Sequence, residues 1–134
     1  MFGKVSDLAK NNALLQATAD GQVSVVESLI KNQANINVQD KNGYTSLMIA
    51  TIKGHMAIVE MLLLNHADTN IKDNRGNTAL IHAASRGYAE IVRQLIDHHA
   101  DLDIKNNDGL TALTLAQQRR RTEIVAMLKK AGAR

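Results

Sequence analysis

The stretch Asp40-Lys41-Asn42-Gly43-Tyr44-Thr45-Ser46-Leu47 returns 33 residues later as Asp73-Asn74-Arg75-Gly76-Asn77-Thr78-Ala79-Leu80. It returns once more as Asn106-Asn107-Asp108-Gly109-Leu110-Thr111-Ala112-Leu113. Each copy has the chemistry of a tight turn entering a helix. An Asp or Asn favours the turn, and a Thr hydroxyl can then accept from an orphan N–H of the first helical turn. Outward from this stretch the register persists through Ala50, Ala83 and Ala116, through Ile58-Val59, Ile91-Val92 and Ile124-Val125, and through Leu62, Leu95 and Leu128. Ala67, Ala100 and Ala133 close it. Residues 40–72 and 73–105 share 14 of 33 positions without a gap, which fixes the repeat length. One step back lie Leu14, Ala17, Gly21, Val25-Val26, Leu29 and Ala34.

Each unit reads as a short helix, a turn, a second helix and a loop. Leu47 and Ala50 share one helix face. Gly54 and Gly87 fall where a chain reversing between helices calls for positive φ. Ile58, Val59, Leu62 and Leu63 form the core stripe of the second helix. One helix pair cannot bury such a stripe alone, so the units must stack. Composition agrees: 45% of the chain is hydrophobic but only 2% is aromatic. A core of small helix-forming aliphatics favours helix on helix. The expected class is all-α, in one domain over residues 1–134, with units at about 5–39, 40–72, 73–105 and 106–134.

The chain resembles ankyrin-repeat proteins over about residues 5–134. The resemblance rests on Asp40-x-x-Gly43-x-Thr45-x-Leu47 with Gly54-His55-x-x-Ile58-Val59, and on Asp73-x-x-Gly76-x-Thr78-Ala79-Leu80. The loops Ala67-Asp68-Thr69-Asn70 and Ala100-Asp101-Leu102-Asp103 fit as well. It implies a curved solenoid of stacked helix-turn-helix units with projecting β-hairpin loops, and a role in binding other proteins without catalysis. The repeat style is similar to that of short bacterial members.

Several departures carry expectations. Ser46, Ala79 and Ala112 replace the family's first-position Pro and remain compatible with a helix. Arg120 stands where Gly54 and Gly87 stand, at a cost of about 1 kcal/mol if the left-handed conformation is required. Lys10 and Asn12 replace the hairpin Gly and capping Thr, so residues 5–20 read as a helical N-terminal cap without a hairpin. Lys129, in place of Ile30, Leu63 and Ile96, suits an outer helix facing water. Both ends therefore read as sealed, and the chain as complete.

The chemistry of sites is thin. The sequence has no Cys, which removes thiol nucleophiles, disulfides and zinc–thiolate sites. It contains no G-x-S-x-G elbow, H-E-x-x-H pair, Walker A loop or G-x-G-x-x-G fingerprint. His55, His66, His82, His98 and His99 read as solvated or packing histidines. Asp40 and Asp73 read as turn residues, and Asp68, Asp101 and Asp103 lack the ligand density of a calcium loop. No enzyme, cofactor, metal or small-molecule substrate is expected. No apolar run approaches a membrane span or a signal peptide, so the expected setting is cytoplasmic and the expected state a monomer.

The net charge of +3 is too small to argue for nucleic acid, and no aromatic platform is present for stacking bases. The run Arg119-Arg120-Arg121 reads as a solvated turn whose side chains splay apart.

The resemblance implies partner contacts on a concave face of hairpin tips and first helices. These fall at Lys41, Asn42, Tyr44, Ile52 and Lys53; at Asn74, Arg75, Asn77, Ser85 and Arg86; and at Asn107, Asp108, Leu110, Gln118 and Arg119. Asn11, Ala19 and Asp20 extend the row. The set holds five cations and two anions, a surplus equal to that of the whole chain. An acidic partner surface is expected. The alternatives are a scaffold, natural or engineered, with no evolved partner, and a polyanion binder using the basic face.

Overall fold

The computed structural model describes residues 2–134, with side chains from Asp7 onward. Its described residues form eight helices and no strand: α1 (Phe2–Ala19), α2 (Val23–Lys31), α3 (Ser46–Lys53), α4 (Met56–Leu64), α5 (Ala79–Arg86), α6 (Ala89–Asp97), α7 (Ala112–Gln118) and α8 (Thr122–Ala131). The chain divides into two compact units, one ending at Ala67 and one running from Asp68 to Arg134.

In the first unit α1 packs on α2 and α3, and α4 packs on α3 and α2. Leu14, Ala17, Val26, Leu47, Ala50, Ile58, Val59 and Leu62 are buried there. α1 runs unbroken through Lys10 and Asn12, the positions of the turn Gly and capping Thr in the later repeats, and begins three residues earlier than the sequence suggests. In the second unit α5 packs on α6 and α7, and α8 packs on α7 and α6. Leu80, Ala83, Ile91, Val92, Leu95, Leu113, Ala116, Ile124 and Leu128 are buried. Each fully buried Leu or Ile contributes about 1.5–3 kcal/mol of transfer free energy. Lys129 is exposed.

The local chemistry read from the repeat is in place. Thr45, Thr78 and Thr111 each accept from the backbone N–H three residues on, at 3.2, 3.3 and 3.2 Å. Gly54 and Gly87 take φ of 71° and 81°, and Arg120 takes 57° at the same repeat position. A second left-handed position follows α2, α4 and α6, where Gln33, His66 and His99 have φ of 72°, 65° and 62°. Gly132 holds that position after α8. His66 and His99 thus end helices, and both are exposed.

The loops before α3, α5 and α7 are tight turns rather than strand pairs. Each is closed by two backbone hydrogen bonds of 2.9 Å: Asp40 N–H to the Tyr44 carbonyl and Gly43 N–H to the Asp40 carbonyl, with the same pairs at Asp73, Asn77 and Gly76 and at Asn106, Leu110 and Gly109. The first side chain of each turn holds it open. Asp40, Asp73 and Asn106 each use Oδ1 to accept two backbone N–H groups further along their turns. Asp68 and Asp101 do the same one residue pair at a time, accepting from Asn70 N–H and Asp103 N–H.

Within the second unit the two turns lie edge to edge. Asn107 N–H donates to the Arg75 carbonyl at 2.9 Å, Asn107 Nδ2 to the Asn74 carbonyl at 3.1 Å, and Asn106 Nδ2 to Asn77 Oδ1 at 2.9 Å. Such closeness requires Gly76, because a Cβ there would lie 2.6 Å from Asn107 Oδ1 and 2.8 Å from its backbone nitrogen.

A polar side chain opening the last helix of each unit reaches back over a Gly. His55 Nε2 lies 3.4 Å from the Ala19 carbonyl oxygen and its ring sits against Gly21. In the second unit Arg121 donates from Nε and Nη2 to the Ser85 carbonyl at 3.3 and 3.2 Å, with its guanidinium against Gly87. Arg121 is therefore not part of a solvated turn: it is half-buried and caps the C-terminal end of α5.

Candidate functional site

The expected contact residues fall on both units, and each group is placed by its own turn and first helix. In the first unit Lys41, Asn42 and Lys53 are exposed, while Tyr44 and Ile52 are half-buried. Lys41, Asn42 and Tyr44 belong to the turn that Asp40 holds. Ile52 and Lys53 are in the last turn of α3.

In the second unit the turns and the first helices enclose a groove of about 360 Å³. Seven expected residues line it: Arg75, Asn77, Ser85, Asp108, Leu110, Gln118 and Arg119. Asn74, Arg86 and Asn107 do not. Asn107 and the Asn74 carbonyl instead tie the two turns together, and Asn77 joins that tie through its Oδ1. Of the Arg119-Arg120-Arg121 run only Arg119 reaches the groove.

Four lining residues were not expected from the sequence: Ile81, His82, Asn106 and Leu115. A signal for two of them exists. His82 and Leu115 precede Ser85 and Gln118 by three residues, one turn along the same helix face.

His82 corrects the reading of the histidines as merely solvated or packing. Its side chain is 12% exposed, and Nε2 lies 2.8 Å from Oδ2 of Asp73, itself 2% exposed. Asp73 likewise does more than shape a turn: Oδ1 takes the N–H groups of Arg75 and Asn77, and Oδ2 takes His82. Burial pushes the pKa of the ring below its ordinary value of 6.5. The hydrogen bond and charge of Asp73 oppose that shift, and the nearby Arg86 charge adds to it.

The groove thus has an apolar part in Ile81, Leu110 and Leu115. Its charged groups are two guanidiniums, Arg75 and Arg119, and one carboxylate, Asp108. Apolar side chains flanked by charges are the kinds of group that protein interfaces use for contact and for orientation. Among the described residues no three His, Asp or Glu side chains are grouped to hold a metal ion. No helix among them is long and apolar enough to cross a membrane.

A family model described as ankyrin repeats (3 copies) matches residues 3–73 and again residues 54–134. Comparison with curated proteins finds no match.

Proposed function

Because the chain belongs to the ankyrin-repeat family, whose repeats generally mediate protein–protein interaction and are generally non-catalytic, we propose that it binds a partner protein through its turns and first helices. The observation that carries this reading is the groove of the second unit, where seven residues expected at partner-binding positions line one recess. Lys41, Asn42, Tyr44, Ile52 and Lys53 hold the equivalent repeat positions in the first unit and are proposed to act in the same way. Asn74, Arg86 and Asn107 are assigned to the margin of the contact, outside the groove.

The partner surface is acidic in this reading, because Arg75 and Arg119 outnumber Asp108 in the groove and Lys41 and Lys53 are exposed. Turns fixed by side-chain hydrogen bonds lose little freedom on binding, which favours affinity from a modest surface. The protein acts as one ankyrin domain over residues 1–134, as a cytoplasmic monomer. The sequence register that runs unbroken from one unit into the next supports the single domain.

The test is affinity purification from the native cell with the wild-type chain and with the Arg75→Glu/Arg119→Glu variant. A partner retained by the first, lost by the second and released by moderate salt fits the proposal. Equal retention by both chains would overturn it.

A further inference from the structure

Building on the reading of the second unit's groove as a partner site, we propose that the groove is proton-responsive: protonation of His82 strengthens its hold on a carboxylate-rich partner segment.

The geometry supplies the parts. His82 lines the groove from α5, and its Nε2 is fixed 2.8 Å from Asp73 Oδ2. Asp73 is itself fixed, because its other oxygen accepts the backbone N–H groups of Arg75 and Asn77. With the proton of the neutral ring on Nε2, the ring donates to Asp73 Oδ2. Uptake of a second proton leaves this contact in place. The ring therefore gains a charge without leaving its seat, which distinguishes it from an exposed histidine that swings freely.

The charged groups around the ring come from every side of the groove. Asp73 and Arg75 belong to the turn before α5, Arg86 lies one turn further along α5, Asp108 comes from the neighbouring turn, and Arg119 closes the row after α7. No α6 side chain lines the groove. Two guanidiniums and one carboxylate are thus the fixed charges in its lining, and protonated His82 adds a third cation. Charges act more strongly in a half-enclosed recess than on an open surface.

An acidic occupant favours the protonated ring, and by reciprocity the protonated ring favours the occupant. Burial keeps the empty-groove ring neutral at pH 7, so the response falls on the acid side. Glutamate side chains, with an ordinary pKa near 4.3, are still largely ionised there.

The test uses the full chain and an acetylated hexaglutamate peptide as probe, with binding measured at pH 7.5 and pH 5.5 at constant ionic strength. The expected result is tighter binding at pH 5.5, with tenfold for each unit by which the ring's pKa rises on binding as the upper limit. In His82→Gln the gain on going from pH 7.5 to pH 5.5 disappears, whatever the level of binding at pH 7.5. A second measurement needs no variant: the His82 ring resonances, titrated with and without peptide, shift their midpoint upward when peptide is bound. Binding that is equal or weaker at pH 5.5, an undiminished gain in His82→Gln, or an unmoved midpoint overturns the proposal and leaves the partner site standing. Absence of binding at both pH values, in the wild type and in Arg75→Glu/Arg119→Glu alike, overturns the partner site and this proposal with it.

Discussion

Arg121 donates two hydrogen bonds to the carbonyl of Ser85, 36 positions earlier in the chain, across the bare backbone of Gly87. The contact does two things at once. It satisfies a carbonyl near the C-terminal end of α5, and it places a positive charge where the helix dipole is negative. Arg121→Ala should lower stability by about 1–2 kcal/mol, read as a shift of the urea midpoint at constant slope. Gly87→Ala should also destabilise, because φ there is +81° and a Cβ would lie 3.0 Å from Arg121 Cζ. Combining the two substitutions separates these causes: the steric part vanishes once the guanidinium is gone, and the backbone part of about 1–2 kcal/mol remains. Strict additivity would show that the side chain yields freely and that only the backbone matters.

Ser46 occupies the first position of α3 and is fully buried, yet its hydroxyl has no hydrogen-bond partner. The repeats at 79 and 112 carry Ala at this position. An unsatisfied buried hydroxyl costs about 1–3 kcal/mol, whereas Ala gives up only a small polar atom and gains helix propensity. Ser46→Ala should therefore raise stability by about 1 kcal/mol, measured by urea or thermal unfolding. A loss of stability would show that the hydroxyl is satisfied in solution by an ordered water.

The fold was legible because its instructions are local and repeated. Thr45, Thr78 and Thr111 cap the helices that follow them, and Asp40, Asp73 and Asn106 shape their own turns, so each act is completed within five residues of chain. The site was legible only in part. His82 sits where the other repeats carry Ile49 and Leu115, so the repeat itself argues for apolar packing at that position. Its partner Asp73 is nine residues earlier, outside the helix. The resemblance places Asn107 among the contact residues, and only the approach of the neighbouring turn reveals its bond to the Asn74 carbonyl. The left-handed backbone at Gln33, His66 and His99 was equally hidden, since none is the Gly that usually marks it.

Asp73 tests how the two functions of one carboxylate can be separated. Asn106 holds the equivalent turn with an amide oxygen, accepting from Asp108 N–H and Leu110 N–H at 2.9 and 3.0 Å. Asp73→Asn should therefore keep its turn and lose at most about 1 kcal/mol. Asp73→Ala, which removes all three accepted hydrogen bonds, should lose about 2–4 kcal/mol at roughly one per bond. The Asn variant should also move the His82 titration midpoint further down, because the charge that opposes burial is gone. Equal losses in both variants would show that the charge of Asp73, and not its acceptor geometry, holds the turn.

His82 gives stability a pH dependence of definite sign. Its folded pKa lies below the ordinary 6.5, first because of burial and then because of Arg86, against the opposing pull of Asp73. Below pH 6.5 the unfolded chain takes up the proton more readily than the folded one, so unfolding binds protons. The contribution of His82 is fully present above pH 6.5 and is lost as pH falls through the folded value. His82→Gln should remove this component, so the stability difference between wild type and variant should change between pH 7.5 and pH 5. Urea midpoints for both chains across that range provide the measurement, and a constant difference would show that folding does not perturb the ring.

Arg120 occupies the left-handed position held by Gly54 and Gly87 in earlier repeats, with φ of 57°. A Cβ in that conformation costs about 1–2 kcal/mol, because it crowds the following carbonyl. Gly relieves the crowding but frees the unfolded chain, returning about 0.5–1 kcal/mol of the gain. Arg120→Gly should therefore stabilise the protein by roughly 0.5–1 kcal/mol, the difference between these two effects. Arg120 is exposed and lies outside the groove, so partner binding should be unaffected. Arg120→Ala is the decisive control. It removes the same long cationic side chain but keeps the Cβ, so it should show no such gain. If Ala stabilises as much as Gly, repulsion within Arg119-Arg120-Arg121 is the source of the strain, and the backbone conformation is not.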